Sequence, residues 1–308
     1  MRKGSMSRVH CDKPMTGGRC AVNDVPRIVQ HTHSSHGGTA MKHLALIPVT
    51  VLAAALAAAC GSDPPDRSAG PRKVELADYS ITMPKTFEGP LVDLDITNLG
   101  SFAHELDLGQ VEPGTTLEEA TTYFTQANTE GGLLITDPGG ATAIGPGAHF
   151  GYARTLTPGT YVLFCSFPTA DSMNHTQHGM ITMFTVTDAK KSDLPEADLT
   201  ITLDDDAITV PPLTAGTHVV AVTNIGTQPH EMNTGGVPIG TDLSRGEEIG
   251  SWMEGGQVGA PPLPIEFPGG LKSIAPGVTV VLTLTLRANH TYMFSDDDNG
   301  IMALVDVP

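Results

Sequence analysis

The sequence predicts an all-β fold of two tandem Greek-key β-sandwich domains. Three observations carry this prediction: a repeated pair of motifs, short segments in which apolar and polar residues alternate, and frequent turn residues. The 308 residues include 34 glycines and 24 prolines, whereas only 5% are aromatic. Frequent glycines and prolines are typical of short strands joined by turns and do not favour long helices.

The repeat begins with an eight-residue block, NLGSFAHE at residues 98–105, which aligns with NIGTQPHE at residues 224–231. A second block, PGGATAIGPG at residues 138–147, aligns with PGGLKSIAPG at residues 268–277. Two blocks that recur in the same order indicate two copies of one domain.

Changes in composition along the chain divide it into six parts. In order, these are an upstream segment at residues 1–40 that is either unstructured or not translated, a signal peptide at 41–59, a lipidated cysteine and tether at 60–71, a domain with a metal site at 72–187, a linker at 188–197, and a degenerate domain without a metal site at 198–308.

Residues 41–59 have the layout of a signal peptide. A short basic start, MKH, precedes an unbroken run of apolar or small residues at 44–59, which is too short for a comfortable membrane span. The run ends in LAAACGS, which resembles a bacterial lipoprotein cleavage site with Cys60 as the lipidated residue. We therefore expect an exported protein, lipid-anchored at the outer face of the bacterial cytoplasmic membrane, in the periplasm or at the cell surface. Ordinary secretion after Ala59 is the alternative.

Charge limits the partners. The chain has 17 Lys and Arg against 34 Asp and Glu, a formal net charge of −17. A surface this acidic repels nucleic acid and anionic lipid, so we expect no nucleic-acid partner and membrane attachment only through the lipid on Cys60. It favours a basic or polar protein partner, or serves solubility alone.

The four cysteines leave one internal thiol. Cys11 and Cys20 precede the signal peptide, and Cys60 is the residue expected to be lipidated. No internal disulfide can then form, and Cys165 is a lone thiol in an oxidising compartment. Such a thiol must be buried or bound to a metal to avoid oxidation or disulfide formation.

Each copy combines alternating segments with one short helix. The first helix is predicted at residues 116–125 with Thr115 as its cap, and the second at residues 242–253. The alternating segments predict strands, for example at residues 79–83, 91–97, 219–223 and 278–286.

One loop of the first copy offers the donors of a metal site. Residues 161–186 predict a strand, a long loop that contains Cys165, His175, His178 and Met180, and a second strand. A thiolate, an imidazole and a thioether are the ligands of a soft, redox-active metal, with copper the first choice. A trigonal site needs one more imidazole, and His104 is the candidate because it follows an alternating segment and a turn.

At these residues the sequence resembles the cupredoxins, the blue-copper family of plastocyanin, amicyanin and azurin. The resemblance covers about residues 72–186 and implies one type 1 copper, with His104 as the early ligand, Cys165 as the thiolate, His175 as the second imidazole and Met180 as the weak axial ligand. The spacing from His175 to Met180 matches plastocyanin. The nine residues between Cys165 and His175 exceed the usual gap in the family, so His178 stays open as the alternative to His175.

The second copy keeps the motif but loses the donors. Alignment of the two copies places Ser295 or Asp296 where Cys165 stands, and of the four ligands only His104 has a counterpart, which is His230. We expect no blue-copper centre there, because the soft thiolate is missing. His230 is expected to be a structural hydrogen-bonding residue.

These residues predict electron transfer by one-electron Cu(I)/Cu(II) cycling with a redox partner protein, without enzyme activity. Two-domain copper oxidases and nitrite reductases also duplicate the cupredoxin fold, but their catalytic coppers use His-x-His or His-Cys-His clusters, and the sequence after residue 60 contains neither. One alternative is a cell-surface copper chaperone or scavenger that uses the loop's histidines, His175 and His178, together with Met173, Met180 and Met183. Another is a metal-free binding module.

Overall fold

The alternating segments of the first copy form nine strands and one helix in the described part of the chain. The computed structural model describes residues 70–126, 133–189 and 193–308. The elements of the first copy are β1 (Arg72–Ala77), β2 (Ser80–Thr82), β3 (Thr86–Phe87), β4 (Leu91–Asn98), β5 (His104–Val111), α1 (Leu117–Thr125), β6 (Leu134–Ile144), β7 (His149–Thr155), β8 (Gly159–Phe164) and β9 (Ile181–Val186).

The second domain, within residues 193–308, has the same order of elements except that no strand corresponds to β3 and a 3-10 helix precedes its α-helix. Its elements are β10 (Leu199–Asp204), β11 (Ala207–Thr209), β12 (Gly216–Asn224), β13 (His230–Pro238), a 3-10 helix (Leu243–Arg245), α2 (Glu247–Glu254), β14 (Pro268–Ile274), β15 (Thr279–Leu286), β16 (His290–Asp296) and β17 (Ile301–Val307).

Both domains fold as a two-sheet sandwich with Greek-key crossovers. In the first, one sheet has the order β2-β1-β4-β7 and the other β6-β5-β8-β9-β3; in the second, the orders are β11-β10-β12-β15 and β14-β13-β16-β17. Alternate residues of β4, namely Val92, Leu94 and Ile96, are buried between the sheets, as the period of two dictates. The predicted fold class, all-β with two tandem cupredoxin-like sandwiches, is confirmed by this topology.

The sheets of the two domains join edge to edge. β7 pairs with β15 in antiparallel register, with Ala153 opposite Val281, and β6 pairs with β14, with Thr142 opposite Gly270. Continuous sheets of eight and nine strands therefore run through both domains. The pairing satisfies four strand edges that would otherwise expose unpaired backbone groups.

The repeated N-x-G motif builds the same corner twice. The side-chain amide of Asn98 donates to the carbonyl oxygens of Phe102 (2.8 Å) and Ile144 (2.7 Å), and its oxygen accepts from the amide of Gly100. In the second copy, Asn224 makes the corresponding three hydrogen bonds. The buried asparagine thus closes the turn that leads into the following histidine in each domain.

The first helix starts one residue later than predicted. Thr116 is the N-cap, because its hydroxyl accepts from the amide of Glu119 (3.2 Å) while the Glu119 carboxylate accepts from the amide of Thr116 (2.8 Å). This reciprocal pair is a capping box. Thr115, the predicted cap, instead donates its hydroxyl to the carbonyl of Glu112. The second predicted helix is divided at Gly246 into the 3-10 helix and α2.

A small apolar cluster lies outside the main core, between α1 and the outer face of its sheet. Val111, Ala120 and Val162 are buried there. The ring of Phe124, on α1, stacks on Phe164 with centroids 4.2 Å apart. The helix of the first domain is therefore docked on its sheet by apolar packing.

Candidate metal centre

His104 is the first residue of β5 and is fully buried. The residue before it, Ala103, is held by Gln257 of the second domain, whose side-chain oxygen accepts from the Ala103 amide (2.7 Å) and whose amide group donates to the Ala103 carbonyl (2.9 Å). Nε2 of His104 lies 3.7 Å from Oδ1 of Asp78. These contacts fix the start of the strand and aim Nδ1 at the loop that follows β8.

Backbone hydrogen bonds fold that loop back on itself. The amide of Cys165 donates to the carbonyl of Met180 (3.1 Å), and the amide of Met180 donates to the carbonyl of His175 (2.9 Å). The amide of His175 in turn donates to the carbonyl of Phe167 (2.9 Å). The loop can therefore be long while its ligand positions remain close together.

Three donor atoms face one another in the buried space between β5 and the loop. Nδ1 of His104 and Nδ1 of His175 lie 3.0 Å apart, and Sγ of Cys165 lies 4.0 Å and 3.4 Å from them, respectively. A point equidistant from all three atoms is about 2 Å from each. This is the length of a metal bond to imidazole nitrogen, and a bond to thiolate sulfur is only about 0.3 Å longer. The spacing therefore suits a trigonal metal ion.

Within residues 70–126, 133–189 and 193–308, this is the one group of three or more His, Cys, Asp or Glu side chains close enough to share an ion. All three side chains are almost fully buried. A soft thiolate with two imidazoles is the donor set of copper, and carboxylate is absent from it.

Burial determines the protonation of the donors. It lowers the pKa of His104 to about 4, with His175 adding to the shift and Asp78 opposing it, and it lowers the pKa of His175 to about 4. Both imidazoles are therefore neutral at pH 7, with a lone pair available. Burial, and then the charge of Glu105, raise the pKa of the Cys165 thiol, so a thiolate here requires a bound cation.

The structure brings together three of the predicted ligands and places the others differently. Met180 is fully buried and joined to the site through its backbone. His178, the alternative to His175, points away: its Nε2 lies 3.1 Å from Oδ2 of Asp171, and its ring packs on Tyr79 at 4.6 Å. Cys60 and the predicted signal peptide at residues 41–59 lie outside the described residues. In the ranges that are described, no helix is long and apolar enough to cross a membrane.

Sequence reasoning missed two residues of the second domain that support this site. One is Gln257, which pairs with the backbone beside His104. The other is Lys272, whose ammonium lies 2.8 Å from Glu105 and 3.0 Å from Asp107. Neither lies in a sequence pattern that identifies its partner, because 154 and 167 residues separate the paired positions.

Glu105 connects this ion pair to the thiol. Its backbone amide points at Sγ of Cys165 (3.5 Å), and its buried carboxylate accepts from the amide and hydroxyl of Ser166. Burial raises the pKa of Glu105, and Asp107 adds to the rise, while Lys272 and Ser166 oppose it. The two carboxylates outweigh burial at Lys272, so the pKa of its ammonium is raised.

The corresponding position in the second domain holds a different arrangement. Nδ1 of His230 lies 2.6 Å from Oδ2 of Asp296, both side chains being almost fully buried, and Nε2 lies 3.1 Å from Asp205. Of Ser295 and Asp296, it is therefore Asp296 that occupies the position of Cys165. His230 is a hydrogen-bonding residue between two carboxylates.

Comparisons with known proteins find solved structures of copper proteins, each at low similarity. Neither a protein-family model nor a curated protein sequence matches the chain. Among solved structures, auracyanin from Roseiflexus castenholzii matches with 20% identity over 37% of this chain and 94% of its own, with a TM-score of 0.26. The blue copper oxidase from Nitrosomonas europaea matches with 17% identity over 76% and 85%, with a TM-score of 0.23.

The copper nitrite reductase from Nitrosomonas europaea is also similar, with 13% identity over 77% of this chain and 93% of its own, and a TM-score of 0.22. At TM-scores of 0.26 or less, none of these likenesses decides a function. The chemistry of the chain has to be inferred from its own donor atoms.

Proposed function

We propose that the protein is an exported electron-transfer protein that binds one type 1 copper ion in its first domain. One observation carries the proposal: the buried triangle of His104 Nδ1, His175 Nδ1 and Cys165 Sγ is sized for a trigonal soft metal. Met180 is the proposed weak axial ligand. When bound at such a site, copper supplies one-electron exchange between Cu(I) and Cu(II).

The surrounding residues contribute by holding the donors in one arrangement. Neutral His104 and His175 present lone pairs without first losing a proton, and the Glu105 amide is aimed at the sulfur of Cys165. Burial of all three donor side chains excludes water from the ligand positions. A site that resists rearrangement and is closed to water suits electron transfer and disfavours catalysis on a bound substrate.

The proposal includes the cellular setting that residues 41–60 predict. The protein is exported and held by a lipid on Cys60 at the outer face of the bacterial cytoplasmic membrane, and it exchanges electrons with a redox partner protein. We propose no enzyme activity of its own. Catalytic coppers in two-domain copper enzymes require paired histidines of the His-x-His or His-Cys-His kind, which the sequence after residue 60 lacks.

We further propose that the two domains are tandem copies and that the second has become a support for the first. The matching Asn98 and Asn224 corners favour a common origin. The second domain contributes Gln257 and Lys272 to the surroundings of the metal ligands, while its own position holds a His230–Asp296 pair.

Loading the purified protein with Cu(II) tests the proposal. We expect an intense blue thiolate-to-copper charge-transfer band and narrow copper hyperfine splitting in the paramagnetic-resonance spectrum. Cys165→Ser should lose both, because the thiolate is the source of the transition. His178→Gln is the matched control and should keep both, since its ring lies against Asp171 and Tyr79.

The alternatives predict different spectra. A copper chaperone or scavenger binds Cu(I) but gives no blue band, and a metal-free module binds neither oxidation state. The side chains that the chaperone hypothesis needs lie in unlike environments, because Met183 packs against the cluster under α1 while Met173 is exposed. Retention of the band in Cys165→Ser, or its loss in His178→Gln alone, would contradict the assigned ligands.

A further inference from the structure

The two domains differ in the layer between their helix and the outer face of the adjoining sheet. In the first domain this layer is filled, with Ala120 of α1 buried and Phe124 stacked on Phe164. In the second domain no residue of α2 is buried, and a cavity of about 710 Å³ lies between the helix and the sheet. Sites for small molecules typically have volumes of roughly 300–1,000 Å³.

The register of the strands explains the difference. Asp107, three residues after His104, pairs with Phe164. Asn233, three residues after His230, pairs with Ser295. Ser295 thus occupies the position at which the first domain has the ring that docks Phe124. A hydroxymethyl group in place of a phenyl ring leaves this layer unfilled.

The floor of the cavity is largely apolar around this serine, and Asn233, Thr291 and Asp297 also line the cavity. Ser295 pairs with Met302 across β16 and β17, and Met293 pairs with Leu304. Because alternate strand residues point to one face, these four side chains share the face that lines the cavity. The roof and walls are also largely apolar, formed by residues such as Leu243, Ile249, Met253, Phe167 and Phe267.

The Ser295 hydroxyl lacks a partner. The residue is 3% exposed, and its Oγ has no hydrogen bond to any residue that the structure describes. Buried polar groups are nearly always satisfied, because an unmade hydrogen bond away from water is unfavourable. The hydroxyl of Thr234, which also lines the cavity, has no hydrogen bond either, but Thr234 pairs with Phe294 and points to the opposite face of the sheet. The Ser295 hydroxyl on a largely apolar floor therefore points to a ligand with one hydrogen-bonding group.

The charges around the cavity limit that ligand further. Glu247, Glu254 and Asp297 line the cavity, and no Lys or Arg is among its lining residues in the described part of the chain. An anion would be repelled by these carboxylates and would lose its hydration without a compensating partner. The site thus discriminates against carboxylates and phosphates.

We propose that this cavity binds a neutral, largely apolar small molecule whose single hydroxyl or carbonyl group hydrogen-bonds to Ser295. The apolar floor and roof remove the body of the ligand from water, and the serine orients its polar end. The inference goes beyond electron transfer and does not depend on copper binding, since no proposed metal ligand lines the cavity.

Three naphthalene derivatives test the proposal by titration calorimetry on the purified full chain at pH 7. We expect saturable one-to-one binding of 2-naphthol, which is neutral and carries one hydroxyl. 2-Methylnaphthalene, which has the same body without the hydroxyl, should bind more weakly. The anion 2-naphthoate should not bind.

Two variants assign the binding to this cavity. Ser295→Ala should weaken 2-naphthol binding by roughly 3- to 10-fold, the range for one lost hydrogen bond, and leave 2-methylnaphthalene binding unchanged. Gly250→Leu should abolish the binding of both, because Gly250 lines the cavity and an added Cβ meets no atom within 4 Å. Ser251→Leu adds the same side chain to an exposed position of α2 outside the lining and should bind normally.

The proposal fails if 2-naphthol does not bind saturably, if 2-naphthoate binds as tightly, or if Gly250→Leu binds like the wild type. Equal weakening of 2-naphthol and 2-methylnaphthalene by Ser295→Ala would also overturn the role of the serine. Far-ultraviolet circular dichroism verifies that each variant is folded. Should Ser295→Ala not fold, Gly250→Leu and the naphthoate comparison decide the outcome.

Discussion

Replacement of Lys272 by Met is expected to destabilise the protein by about 3 kcal/mol at pH 8, the lower end of the range for breaking a buried ion pair. Lys272 reaches from β14 in the second domain to Glu105 (2.8 Å) and Asp107 (3.0 Å) in the first. Met keeps most of the aliphatic stem and removes the charge. The lower end applies because the Lys272 side chain is 27% exposed, and water can partly replace it.

The effect should depend on pH with a definite sign. The pKa of Glu105 is raised by burial, so its ionisation lowers stability as the pH rises through that pKa. Loss of Lys272 raises the pKa further, because its charge opposes the shift. The deficit of Lys272→Met should therefore be larger at pH 8, where Glu105 is driven to ionise, than at pH 5, where it stays protonated.

Chemical denaturation at both pH values measures this prediction. Lys272→Met combined with Glu105→Gln should recover much of the stability at pH 8, because the buried charge is removed with its partner. Lys73→Met is a matched control, since the ammonium of Lys73 is exposed, and should cause no measurable change. An equal deficit at the two pH values would show that lost packing, and no buried charge, causes the effect.

The strands and the grouping of His104, Cys165 and His175 were predictable because their signals are local. Alternation identified β4 and β12, and the repeated block with Asn98 and Asn224 identified the corners that precede each histidine. The donors could be named because a Cys, a His and a Met fall on one loop between two strands. Their gathering follows from the sandwich itself, which places that loop beside the start of β5.

The choice between His175 and His178 could not be made from spacing alone. It depends on how the loop turns: the amide of Met180 donates to the carbonyl of His175, and Asp171 is placed to pair with His178. The edge pairing of β6 with β14 could not be predicted from the sequence either, because backbone hydrogen bonds carry little sequence information. Support of the site by the second domain follows from that pairing.

The second large effect concerns the degenerate site. We expect Asp296→Asn to destabilise the protein by about 1.5–3 kcal/mol at pH 6, the range for a hydrogen bond to a charged group. Both side chains of the His230–Asp296 pair are 1% exposed, with Nδ1 and Oδ2 2.6 Å apart. The change keeps the shape of the side chain and removes its charge, so the loss reports the electrostatic part.

The folded state favours the charged form of His230, whereas burial disfavours the charged form of Glu105. Burial alone would lower the pKa of His230, but the hydrogen bonds and charges of Asp296 and Asp205 outweigh it, and the pKa is raised. The pair therefore contributes fully below the unfolded pKa of histidine, about 6.5, and the contribution is lost as the pH rises through the folded value. The deficit of Asp296→Asn should be larger at pH 6 than at pH 9.

Denaturation curves of wild type, Asp296→Asn and the double variant with His230→Gln check this expectation. The double variant has no charge at either position, so its stability relative to wild type should lose most of the pH dependence. A deficit in Asp296→Asn that does not change between pH 6 and pH 9 would rule out a charged His230.

This pair also predicts how the two domains respond to copper. At the register position of Cys165, Asp296 satisfies His230 with a carboxylate already in the fold, so the second site needs no cation. In the first site the pKa of the Cys165 thiol is raised and two neutral imidazoles face it, so a bound cation should stabilise the fold by its binding free energy. Copper should therefore raise the melting temperature of the wild type and of Asp296→Asn equally, and leave that of Cys165→Ser unchanged.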